Sequence, residues 1–329
     1  MKQTTLSKFF SAFIVILLFS GCDNSVDINA EWKETIIIYG LLDPNQNDQY
    51  IKVNKAYLNE NTSALVVAKN SDSLYLNNAV VKLKRLNTGE EFILSKVDEI
   101  QKDSGIFASD VNFLYKLSEP VMENEPYEVE VTTPLGKSWA NTWTLKKARI
   151  EAPFRTTNPI FSLGPQYITI SYVPGTNAFA YDVKLKVNVE EYTQSDTTLI
   201  ETKTLQWDVI TNYFMPRGRT NSTVIHQVER TSFFQFLAYT LDTAAPVYRR
   251  IKSVSMEYYG GSQSLIDYIS VNEPSIGIVQ KQAEYTNINN GYGLFGSRCK
   301  QTIDNVPMDP GSVSILNNNS ITAPLNFIY

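Results

Sequence analysis

The chain has 329 residues, with 29 basic against 34 acidic side chains, a net charge of −5 and 43% hydrophobic residues. Such a composition can bury sizeable cores and is not that of a disordered chain. Mild acidity without a Lys/Arg cluster argues against nucleic acid or an anionic lipid surface as partner.

Residues 1–21 read as an export signal: Lys2 and Lys8 give a positive start, and residues 9–19 form an apolar run broken only by Ser11. The run is too short for a comfortable membrane span, which takes about 20 apolar residues. Ser20 and Gly21 are small and stand directly before Cys22. That pattern predicts cleavage and lipidation at Cys22, with Phe19 as its one irregularity and residues 22–33 as anchor and tether. A lipidated Cys22 leaves Cys299, the only other cysteine, without a partner. Although Arg298 and Lys300 flank it, a small buried hydrophobe is the expected role of Cys299.

Residues 34–146 read as a first β-rich domain. Residues 35–40 (TIIIYG) predict a buried strand, 43–48 (DPNQND) a turn, and 50–58 a returning strand with Ile51, Val53 and Tyr57 inward. Asp43, Asn45 and Asn47 fall on alternate positions as in a calcium loop. However, Asp48 replaces the required glycine and Asn54 the closing glutamate, so turn chemistry is expected. Residues 61–70 read as loop or helical turn. Strands follow at 80–86, 91–97 and 126–133, the last with Tyr127, Val129 and Val131 alternating against Glu128 and Glu130. A turn at 134–137 leads to a strand carrying Trp139, Asn141, Trp143 and Leu145 at period two. The tryptophans are expected as core filling, with a carbohydrate platform as the functional alternative.

Residues 147–158 have the charge and proline of a linker, and 159–329 read as a second β-rich domain. Strands are expected at 167–173 and, through Tyr181, Val183, Leu185, Val187 and Val189, at 181–190. Leu205, Trp207 and Val209 continue that pattern. A helix is expected at 232–243, capped by Ser232, packed through Phe233, Phe236, Leu237 and Leu241 and ended near Pro246. A strand at 251–259 and a second short helix at 264–271 follow; edge strands are expected at 312–316 and 324–329. The fold class is mainly β, two antiparallel sandwiches of immunoglobulin or fibronectin type, the second with a helical insertion.

Catalysis is poorly provided for. His226 is the single histidine, with no nucleophile motif nearby, and one His with one unpaired Cys does not furnish a usual zinc site. A carboxylate-pair hydrolase stays open, because two acids from distant loops leave no spacing to read. The expectation is a non-enzymatic protein without cofactor or metal.

The most distinctive run is EYTNINNGYGLFGSR at 284–298, where Gly291, Gly293 and Gly296 interleave with Tyr292, Leu294 and Phe295. Glycines in a strand-like run mark bulges or close backbone approach. Three features together resemble a Bacteroidota lipoprotein family known only as a domain of unknown function. These are Cys22 with its short tether, the Ile-Tyr-Gly-Leu-Leu strand at 38–42, and the set Tyr285, Asn287, Asn290, Gly291, Gly293, Phe295 and Gly296. The resemblance implies two β-rich domains on a lipid anchor, outer-membrane placement with the cell surface favoured, and genes neighbouring TonB-dependent receptors. It brings no catalytic residues. Three functional readings follow: an accessory subunit binding an envelope protein such as a TonB-dependent receptor, a glycan- or small-ligand-binding lipoprotein with Trp139, Trp143 or Trp207 as platform, and a pilin-like adhesin subunit.

Overall fold

The computed structural model describes residues 35–56, 66, 68–76, 78–134, 136–154, 159–216, 222–272 and 284–329. The expected signal, the expected lipid site Cys22, the expected tether, Tyr57 and most of 61–70 lie outside the described residues. Strands of the first half are β1 (Thr35–Leu42), β2 (Gln49–Ala56), β3 (Val80–Arg85), β4 (Glu90–Ile93), β5 (Ser95–Val97), β6 (Leu114–Leu117), β7 (Pro126–Thr133) and β8 (Gly136–Trp143). Those of the second are β9 (Arg149–Ala152), β10 (Tyr167–Val173), β11 (Ala180–Thr193), β12 (Leu199–Phe214), β13 (Val224–Glu229), β14 (Val247–Gly261) and β15 (Gly291–Val306). The helices are α1 (Ser71–Leu74), α2 (Arg230–Thr240), α3 (Gln263–Asn272) and α4 (Pro310–Asn317).

One eight-stranded sheet, ordered β12-β11-β14-β15-β1-β2-β6-β5, runs through both halves of the sequence. A four-stranded sheet, β4-β3-β7-β8, and a three-stranded sheet, β13-β10-β9, accompany it. Two apolar cores lie against the long sheet. One joins Ile36, Ile38, Ile51 and Val53 to Val81, Leu83, Val129 and Val131 of the four-stranded sheet. The other joins Val183, Leu185, Val187 and Met256 to Ile168, Ile170 and Tyr172 of the three-stranded sheet. Phe295 belongs to the first core and Cys299 to the second, and their even spacing along β15 puts both cores on one face of the long sheet.

The strand that links the cores is β15. It pairs parallel with β1 from Gly291 to Ser297 and antiparallel with β14 from Arg298 to Val306. Residues 147–158, expected as a linker, instead contain β9, and Leu145, Ala148, Ile150 and Phe154 are buried in the second core. Glu34–Tyr329 is one compact unit, so the expected boundary interrupts neither sheet nor core.

Alternation placed most inward faces as expected, along β7 and along β11, where Tyr181, Val183, Leu185, Val187 and Val189 are all buried. On β8 the parity is reversed. Ser138, Ala140 and Thr142 point inward, and Trp139, Asn141 and Trp143 stand on the outer side, with Trp143 49% exposed. The core-filling expectation for these two tryptophans is therefore overturned. The small inward residue Ala140 shares its core with the large side chains Ile288 and Phe295.

Local signals depart from expectation at three places. Residues 312–316 are helical, not an edge strand. The Asp309 carboxylate accepts from the Ser312 N–H at 3.1 Å, and Pro310 opens the helix, where its missing N–H costs nothing. Residues 323–325 form a 3-10 turn, and the tail beyond meets β14 through a single bridge, Phe327 to Arg249. Ser232 lies inside α2, whose cap position is Glu229; its buried face is Phe233, Phe234 and Leu237.

A cleft beside β1 and helix α3

On the side of the long sheet opposite the cores, α3 lies across β1 and β15. Its apolar residues divide in an unusual way: Ile266 is buried, whereas Leu265, Tyr268 and Ile269 are not. These three, with Tyr39 and Leu41 of β1 and Leu294 of β15, wall a cleft of about 420 Å³. Its polar end is formed by the turn after β1, through Asp43, Gln46, Asp48 and Gln49, and by Arg298.

The turn is held by side chains. Asn45 N–H donates to the Asp43 carboxylate at 3.0 Å, an Asx turn. Gln49, 2% exposed, accepts from Asp43 N–H at 2.9 Å and donates to the carbonyls of Asp43 and Gln46 at 3.0 and 2.8 Å. Asn45 then ties the turn to β15, donating to the Lys300 carbonyl at 2.7 Å and to Cys299 Sγ at 3.0 Å. Burial pushes the Cys299 thiol up to about 11, which keeps it protonated and unreactive.

The charges around the cleft are unevenly committed. Lys116 bridges Asp48 at 3.0 Å and Glu99 at 2.8 Å, and the Tyr50 hydroxyl donates to Glu99 at 2.6 Å. Burial raises the Asp43 carboxyl, partly offset by Asn45 N–H and the charge of Arg298. Arg298 Nε stands 3.6 Å from Asp43, beyond hydrogen-bond distance, with the side chain 56% exposed. Among the described residues its guanidinium has no closer partner. Tyr39 and Tyr268 meet edge to face at 6.1 Å, and burial together with their mutual hydrogen bond lifts the Tyr39 phenol to about 12.

The set singled out in 284–298 has another role. Asn287 donates to the Phe295 carbonyl at 2.6 Å and accepts from its N–H at 2.9 Å, acting as a short false strand along β15. The Asn290 carbonyl accepts from the Ser138 hydroxyl at 2.7 Å, which binds β8 to the start of β15. A side chain on Gly293, where φ is +114°, would meet the Ile38 carbonyl oxygen at 2.0 Å. Gly296 lets Ser262 and Ser264 approach, and Phe295 is fully buried. Tyr285 is half-buried. These residues fasten β15 to β1 and β8 and do not converge on a cavity.

The remaining sequence-derived candidates lie apart from the cleft. Trp139 and Trp143 share the outer face of the four-stranded sheet, whereas Trp207 stacks on Phe236 at 5.6 Å beside the second core. His226 packs against Tyr172 and Tyr213, and burial lowers its pKa. The cleft itself went unread in the sequence. Its one available signal was the apolar stripe Leu265, Tyr268, Ile269 on a helix too short to need three large side chains for docking.

No protein-family model matches the chain, and no curated protein matches it in sequence. Among solved structures, the C-terminal globular domain of an oligosaccharyltransferase from Pyrococcus abyssi is 9% identical over 60% of this chain, with a TM-score of 0.19. The aligned part spans 39% of that domain. CBD12 from CALX1.2 is also 9% identical, over 80% of this chain and 100% of its own, with a TM-score of 0.15. Likenesses this slight carry no argument about fold or function.

Proposed function

We propose that the protein is a lipid-anchored, non-enzymatic binding protein of the bacterial outer membrane, held through Cys22, with the cell surface as its favoured face. In this reading it serves as an accessory to an envelope transporter of the TonB-dependent kind and receives a small ligand in the cleft beside α3. One observation carries the ligand part: an apolar-walled recess with, at its polar end, a guanidinium that stands 3.6 Å from Asp43 and makes no side-chain hydrogen bond among the described residues. Pockets of this size and character, apolar with a few convergent polar groups, are the usual form of small-ligand sites.

The test is a fragment screen by NMR on the chain from residue 23. Ligands whose effects centre on Tyr39 and Tyr268 support the proposal; a screen whose hits all fall elsewhere removes the cleft. Crosslinking of the lipidated protein in its own membranes, with affinity purification, tests the transporter partnership. Shaving of intact cells with protease tests the surface placement, which protection of the chain would defeat.

The glycan reading has one specific observation in its favour, Trp139 and Trp143 projecting from one outer face with polar Asn141 between them. The pilin-like reading is less supported, because β1 lies in the middle of the long sheet and is no detachable edge. An immunoglobulin- or fibronectin-type origin for the two sandwiches belongs to the proposal as well. The alternation in β7 and β11 favours it, and the parallel β1–β15 pair is foreign to a wholly antiparallel sandwich.

A further inference from the structure

We infer that the cleft takes a small amphipathic carboxylate, its apolar body against Leu41, Leu265 and Ile269 and its carboxylate on Arg298. This rests on the cleft being the binding site proposed above and goes further by naming what enters it.

Hydrogen-bonding capacity decides between ligand classes. A polyhydroxylated ligand needs several free donors and acceptors. Here Tyr39 and Tyr268 are packed on each other edge to face, Gln49 is spent on the backbone of Asp43 and Gln46, and the Tyr50 hydroxyl is spent on Glu99. A cationic ligand needs a free carboxylate. Asp43 is 3% exposed and engaged by Asn45 N–H, and Asp48 is taken by Lys116. The donors left over are those of a guanidinium. Arg298 is the one charged group at the cleft with no hydrogen-bond partner among the described residues, and Asp43 at 3.6 Å from Nε orients it without consuming it. The two Nη groups then match a carboxylate, which a guanidinium fork grips through paired hydrogen bonds. A phosphate, more highly charged, would call for a second cation, and Lys116, the partner of the cleft residue Asp48, is already shared between two acids. The apolar walls and a volume near 420 Å³ set the size of the body at a medium-chain alkyl or single aromatic group.

The experiment is calorimetry on the chain from residue 23, which contains the whole compact unit Glu34–Tyr329. The probes are decanoate, 3-phenylpropionate and, as neutral control, decanol. The acids distinguish an alkyl from an aromatic body; binding of either supports the inference. At least one acid is expected to bind about tenfold or more tighter than decanol, since a hydrogen bond to a charged group contributes about 1.5–3 kcal/mol. R298Q should abolish that preference, and R298K should restore part of it. I269W, which fills the cleft while leaving Arg298 in place, should weaken all three probes.

Equal affinity for acid and alcohol, or an acid preference that survives R298Q, overturns the carboxylate assignment and leaves the cleft as a site. Binding indifferent to I269W, or no binding by any of the three probes, overturns the inference as well. In the second case, silence of Tyr39 and Tyr268 throughout the NMR screen is what would remove the cleft too.

Discussion

The two cores share a sheet but differ in how they are closed. The second core draws its buried residues from 145–327, a stretch that supplies strands of the long and the three-stranded sheets together with α2 and α4. The first core takes most of its residues from 36–140 and is then completed from far along the chain by Ile288 and Phe295. Its side of the long sheet is likewise incomplete without β15, the parallel neighbour of β1. The comparison shows that the N-terminal half depends on the C-terminal half, while the reverse dependence is weaker.

The largest expected effect comes from cutting the chain between them. A fragment covering 34–146 should show no cooperative thermal transition, whereas 145–329 should keep one. Two independent transitions of similar height would break the comparison.

Next is Arg249, fully buried in the second half. Its guanidinium donates to Glu191 at 2.8 Å, to the Asp242 carbonyl at 2.8 Å and to the Leu325 carbonyl at 3.1 Å. R249A leaves the buried Glu191 carboxylate with Lys203 alone, at 2.8 Å, and releases the C-terminal tail, at a cost of about 3–5 kcal/mol in denaturant unfolding. A loss near zero would mean that the tail is not tied to the second core in this way.

Gly293 is the corresponding test of the first half. Because φ is +114° and a Cβ would overlap the Ile38 carbonyl, G293A should cost about 2–4 kcal/mol. Hydrogen exchange should quicken in β1 and β2 before it does in β11. Uniform quickening would place β15 equally in both cores.

The smallest effect is confined to acid. Burial opposes ionisation of Glu257, but hydrogen bonds from Lys186, Lys300 and Tyr259 outweigh it and bring the carboxyl down to about 2. An unfolded glutamate titrates near 4.3, so the folded state gains stability above that pH and loses it as pH falls from about 4.3 to about 2. E257Q should flatten this part of the stability curve; an unchanged curve would mean that Glu257 contributes nothing there.

Strands with strict alternation were legible because one wet and one buried face write a period of two into the sequence, as in β7 and β11. The error on β8 has the same root. Period two fixes which residues share a face and not which face is inward, and the core that β8 faces includes Ile288 and Phe295, far along the chain. The same distance hid the shared sheet: nothing near 35–42 announces a parallel partner at 291–297. The glycines at 291, 293 and 296 did announce close backbone approach, but not to what. The cleft was the least legible feature, since it joins a turn, a short helix and one arginine through hydrogen bonds that no spacing records. At 312–316, an apolar alternation was overruled by Asp309 and Pro310, a local start signal for a helix.

The position of β1 has a mechanical consequence. It is the first described strand, and it is clamped on both sides, by seven register pairs to β15 and six to β2. A pull on the chain ahead of Thr35 runs along the strand axis and loads those pairs together, in shear, instead of peeling them one by one. A load applied ahead of Thr35 would therefore meet resistance along this clamped strand, and single-molecule stretching from that end should meet its highest force before any other strand lets go.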